Sequence, residues 1–175
     1  MSAGAGRRRV PVRLGIGVVV LAAVGGAGTW LFRDDLFHPF GDARACAGSD
    51  LRLPHAIEAG GAPLPADASD IHYLTRNGSV EVTFLSHRMS DYLHRAGVLP
   101  EGEDLFDQKH GTKYGDGEDE IALPDGLCGA SLRGPAWEYG STAANGTRVD
   151  VVDERSTLYH DAFRRPARAV VTFTS

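Results

Sequence analysis

Cysteine is scarce in this chain. Only two occur in 175 residues, Cys46 and Cys128. Neither directly follows the apolar run near the N-terminus, where a lipoprotein signal would place its acceptor. Cys46 sits well past that run in "DARACAGS", behind charged residues, so lipidation is not expected. Catalytic motifs are missing as well. There is no G-x-S-x-G elbow, no S-x-x-K, no H-E-x-x-H and no phosphate-cradling glycine loop ahead of a helix. No catalytic residue and no cofactor site is assigned. Basic charge is also short beyond the first 13 positions. With Arg7, Arg8, Arg9 and Arg13 set aside, 14 basic residues face 23 acidic ones, a net of −9. That balance speaks against nucleic acid and against an anionic lipid surface, since both are bound by clustered Lys and Arg.

What the chain does have is one long uncharged segment. From Leu14 to Phe32, 19 positions carry no charge. As a helix they span roughly 28 Å, near the ~30 Å hydrocarbon core of a bilayer. The arginines before the run and Asp34–Asp35 after it place the N-terminus in the cytoplasm and the C-terminal mass outside. A cleaved signal peptide would end at a small-residue site. "GGAG" (25–28) offers one, yet "TWLF" continues the apolar run past it, and a retained anchor is preferred. The chain therefore divides into a basic cytoplasmic N-terminus (1–13), a transmembrane helix (14–32), a stalk (33–69) and an extracytoplasmic domain (70–175). Its setting is the plasma membrane, crossed once.

The 143 positions after the apolar run, 33–175, have room for one core and not for two. "DIHYLTRNGSVEVTF" (70–84) alternates on both sides of Asn77-Gly78, the signature of a two-residue β-hairpin. That turn sets Tyr73 opposite Val82, Ile71 opposite Phe84 and Thr75 opposite Val80. His72, Leu74, Glu81 and Thr83 fall on a mixed second face. In "SHRMSDYLHRAG" (86–97) the period changes. Met89, Tyr92, Leu93 and Ala96 form one helical stripe, with Ser86 as expected N-cap and Gly97 beyond the C-terminus. Residues 101–120 hold eight acids and two lysines, the composition of a solvated loop. "EIALP" (120–124) suggests a short strand. "PAWEYGSTAANGTRVDVVDE" (135–154) suggests a second hairpin around Asn145-Gly146, and in "ARAVVTFTS" (167–175) Ala169, Val171 and Phe173 share a face. The sum is α+β: a mostly antiparallel sheet of about five strands with one amphipathic helix packed on it.

Three constellations carry candidate chemistry. Cys46 and Cys128, both outside the membrane, read as a disulfide in an oxidising compartment. "CGAS" (128–131) faintly resembles a cysteine-protease nucleophile segment, but a serine stands where that motif has its second cysteine, so the bridge is preferred. His87, Asp91 and His94, at i, i+4 and i+7, form a workable zinc set. They also supply the polar face that an amphipathic helix needs anyway. Asp116, Glu118, Asp119 and Glu120 crowd "GDGEDE" in the manner of a calcium loop, without the EF-hand ladder. Trp137 and Tyr139 are read as core in preference to a stacking patch.

"LPADASDIHYLTRNGSVEVTF", the later W-E-Y hairpin and the "AVVTFT" strand together resemble uncharacterised membrane-anchored or lipoprotein ectodomains of high-GC actinobacteria. The resemblance implies a bacterial envelope protein and transfers no active site. Two functions are compatible with these features. The first is a non-catalytic domain binding an envelope protein or cell-wall component. The second is a small envelope enzyme or metal-dependent protein using His87, Asp91 and His94 or the Glu118–Glu120 region.

Overall fold

A computed structural model describes residues 39–54, 57, 62–115, 120–142, 146–154 and 166–174. The expected transmembrane segment 14–32 lies outside them. Among the described residues no helix is long and apolar enough to cross a membrane.

A short 3-10 turn, Pro39–Gly41, precedes β1 (Ser69–Arg76) and β2 (Ser79–Ser86). Then follow α1 (Met89–Arg95), β3 (Gly111–Tyr114), β4 (Glu120–Ile121), β5 (Leu132–Arg133), β6 (Ala136–Thr142), β7 (Arg148–Glu154) and β8 (Ala167–Thr174). Six strands make one sheet in the order β1-β2-β8-β7-β6-β3, and β4 pairs with β5 separately. Every strand pair is antiparallel. Among the described residues, the sheet with α1 packed on it is an α+β arrangement.

The first hairpin forms as the sequence predicts. Tyr73 pairs with Val82 and Thr75 with Val80, closing at Arg76–Ser79. Asn77 and Gly78 take φ of 54° and 80°, the doubly positive turn whose twist matches two strands. Further down, Ser69 pairs with Leu85 and His72 with Thr83. Asp70 and Ile71 thus stand together against Phe84, a β-bulge, with Asp70 at φ 47°. The second hairpin is looser. Thr142 pairs with Arg148, so five residues connect β6 and β7, with Asn145 outside the described set.

Tyr73, Val82, Val171, Val151 and Tyr139 form one row across five strands. The next row on that face holds Phe84, Ala169, Asp153 and Trp137. Helix α1 covers this face with Met89, Tyr92 and Leu93, and Tyr92 meets Phe84 edge-on at 5.3 Å. The helix starts two residues later than Ser86 predicts. Ser86 ends β2, and its hydroxyl donates to Asp67 while accepting the Arg88 N–H. The other end matches expectation. Gly97 takes φ 69°, its N–H reaches the His94 carbonyl and the Val98 N–H reaches Leu93. This is a Schellman closure.

Two expectations need correcting. Within the stretch read as a stalk, Ala45, Cys46, Leu53 and Ala62 are buried. Residues 44–51 run beside β1, with Tyr73 N–H on the Arg44 carbonyl and Cys46 N–H on the Tyr73 carbonyl. The Thr75 hydroxyl accepts the Leu51 N–H. The segment's glycines and prolines hide a strand-like partner that only a neighbouring edge can reveal. The acidic loop 101–120 also contributes structure. Leu105 and Phe106 pack on the core, and β3 joins the sheet as its far edge. Its exposed Thr112, Lys113 and Tyr114 leave no alternation to read.

Candidate functional site

The mixed face of the first hairpin is not left to water. Leu74 and Val170 pack there with Leu127, Leu132 and Cys46, joined by Ile121, Leu123 and Val152. Residues 121–133 cover this face, and the Cys46–Cys128 disulfide pins them down, with Cα atoms 5.4 Å apart. The two cysteines differ in setting: Cys46 is 1% exposed, whereas Cys128 is exposed. The Cys128 N–H donates to Cys46 Sγ at 2.8 Å.

Beside the Cys128 sulfur stands His72. Its Nδ1 lies 3.8 Å from Cys128 Sγ, and its Nε2 lies 3.2 Å from an Asp70 carboxylate oxygen. The other Asp70 oxygen accepts from Arg168 Nη2. The Arg168 hydrogen bond holds the Asp70 carboxyl below its usual range, against the opposing effect of burial. Arg168 is itself buried, and its Nη1 is without a hydrogen-bond partner. Glu154 clasps the surroundings, one oxygen accepting the Arg133 N–H and the other the Arg168 N–H at 3.1 Å. Sulfur, imidazole and carboxylate thus line up, drawn from β1 and the covering loop.

Gly129 makes this approach possible. A Cβ there would come within 2.9 Å of His72 Cδ2 and 3.2 Å of Thr83 Cγ2, at a φ of +116°. Gly129→Ala should therefore lower stability by about 2–3 kcal/mol, combining a left-handed backbone with overpacking. Urea denaturation checks this; a loss below about 0.5 kcal/mol would show that the loop simply shifts.

The metal candidates fare differently. His87 precedes α1 rather than belonging to it, so the helical spacing with Asp91 and His94 does not apply. Asp91 pairs with Arg88 at 2.9 Å, and His94 Nδ1 lies 3.0 Å from the Leu99 carbonyl oxygen. The structure does not gather the three. Asp116, Glu118 and Asp119 lie outside the described residues, and Glu120 is exposed at the start of β4. Among the described residues, Glu103, Asp107 and His110 do converge, with ligand atoms within 4.8 Å of one another. Lys109 Nζ already sits 2.9 Å from the same Glu103 oxygen that faces His110 Nε2 at 3.3 Å. The Glu103 oxygen that a metal ion would use is thus already paired with an ammonium.

On the helix-covered face, Trp137 and Tyr139 are core residues, as their sequence setting predicts. The unexpected group there is Asp153. It is 1% exposed, one carboxyl oxygen has no hydrogen-bond partner among the described residues, and burial pushes its proton affinity well above the usual carboxylate value.

The class this defines is a disulfide-tied α+β module whose sheet is covered on both faces. No protein-family model matches the sequence, and no curated protein and no solved structure match it either.

Proposed function

We propose that the chain is a single-pass membrane protein whose extracytoplasmic domain serves to bind a protein or cell-wall component of the bacterial envelope. The observation that supports this reading is the short stretch of sequence between the apolar run and the 3-10 turn Pro39–Gly41. Only six residues separate Phe32 from Pro39, and they bridge at most about 25 Å when extended. With residues 44–51 fastened along β1, the domain rides close to the headgroups. Phe40 and Leu51, both exposed, lie in this membrane-proximal segment, and Arg52 stands 5.8 Å from the centre of the Phe40 ring.

Fractionation tests it. After alkaline carbonate washing, the full chain should stay in the membrane pellet. Protease added to intact spheroplasts should remove the C-terminal domain and spare an N-terminal tag. Recovery of a shortened chain in the soluble fraction would show a cleaved leader and overturn the anchored reading.

A further inference from the structure

We propose that the Cys46–Cys128 bridge is a thiol–disulfide exchange site whose substrate is a polypeptide dithiol, with Cys128 as the attacked sulfur. Three observations converge on it. Cys128 is an exposed residue while Cys46 is buried, so an incoming thiolate meets Cys128 first. The departing Cys46 sulfur already accepts the Cys128 N–H, a donor that eases its charge. The Cys128 sulfur in turn lies 3.8 Å from His72, which Asp70 orients through its other ring nitrogen. A thiolate beside such a base is the activated state of a nucleophilic cysteine.

The chemistry balances with no further reagent. A substrate thiolate attacks Cys128 Sγ, the Cys46–Cys128 bond breaks, and Cys46 leaves as a thiolate that takes up a proton. The second substrate thiolate then attacks the substrate sulfur of the mixed disulfide. Cys128 departs as a thiolate paired with protonated His72. Two substrate thiols become a disulfide, the protein's disulfide becomes two thiols, and the two electrons and both protons are accounted for. His72 is the catalytic residue here because it touches the reacting sulfur. Asp70 is a positioning residue. The charged groups facing the site are Asp70 from β1, Arg168 from β8 and Glu154 from β7. Glu81 of β2, near Asp125, lies one row along. Their balance sets the pH response.

The test uses the full chain in detergent. After reduction with dithiothreitol at pH 7, iodoacetamide should label Cys128 at least tenfold faster than Cys46. Its half-maximal rate should fall below the ~8.5 of an ordinary free thiol. His72→Asn should slow Cys128 labelling about tenfold and return the midpoint to that ordinary value, with non-reduced stability unchanged. Asp70→Asn should shift the midpoint in the same direction by less. With a synthetic two-cysteine peptide dithiol in large excess, the oxidised chain should be reduced through a peptide mixed disulfide trapped on Cys128 and not on Cys46. Equal labelling of the two cysteines, a midpoint at or above ~8.5, or indifference to His72→Asn overturns the proposal. So does a reduced chain that loses its near-ultraviolet circular dichroism and labels both cysteines at unfolded rates, since the bridge is then a structural staple.

Discussion

Replacing Cys46 and Cys128 together by alanine is expected to lower the unfolding free energy by about 4–5 kcal/mol. The two residues are 82 apart in sequence, and the cost of closing so long a loop in the unfolded chain is removed by the bond. Its location adds to the effect. The bridge ties a segment that borders β1 to the loop that covers the second face of the sheet. Cys46 packs among Leu74, Leu127, Leu132 and Val170, a small apolar cluster that the bond reinforces. A domain of this size typically has 5–15 kcal/mol in total. The variant should therefore stay folded at 25 °C and melt roughly 15 °C lower. Urea denaturation without reductant measures the difference. A change under 1 kcal/mol would mean that the loop and the N-terminal segment hold their places without the bond.

The second large effect concerns Asp153. In the native state this carboxyl is buried on the core face, beside Trp137 and Ala169 in the sheet. Burial, reinforced by the neighbouring Glu154 charge, raises its pKa well above the usual value. The folded chain therefore keeps a proton that the unfolded chain releases above about pH 4. Where the unfolded state binds fewer protons, stability falls as pH rises, by up to about 1.4 kcal/mol per pH unit from one such group. Asp42, Asp67 and Asp70 shift the other way: their folded pKa values are depressed. The stability they supply is present above the unfolded carboxylate pKa and lost as pH falls below it. The two trends occupy different windows, so Asp153 can be isolated. Asp153→Asn should be close to wild type near pH 4 and gain on it steadily toward pH 8. Parallel stability curves for the two proteins across that range would show that Asp153 ionises in the folded state.

Much of the framework could be read directly from the residues. The Asn77-Gly78 turn dictated its own register, because a two-residue loop with two positive φ values admits one pairing of the flanking alternation. Met89, Tyr92 and Leu93 declared the buried stripe of α1, and Gly97 its end. The late strand showed Ala169, Val171 and Phe173 on one side. The misses have physical causes. β3 is a four-residue exposed edge, stabilised by pairing with β6 and not by its own pattern. Residues 44–51 carry no strand signal because their partner is an edge 25 residues away. The zinc set assumed a helix starting at Ser86, whose hydroxyl is instead taken up by Asp67 and the Arg88 N–H.

The His72 site shows the same division. Strand alternation places His72 on the mixed face, and that much was available from sequence; Asp70 reaches it through the bulge, at φ 47°. Cys128 and Arg168 reach them only because residues 121–133 fold over that face and β8, last in the chain, inserts between β2 and β7. Local chemistry in the sequence determined the first hairpin, the helix stripe and the pairing of two lone cysteines. Only the tertiary structure decided which face each cysteine joins, that Asp153 is buried on the core face, and that a histidine and a carboxylate stand beside the Cys128 sulfur. Those outcomes depend on contacts between residues far apart in the chain, and no local pattern encodes them.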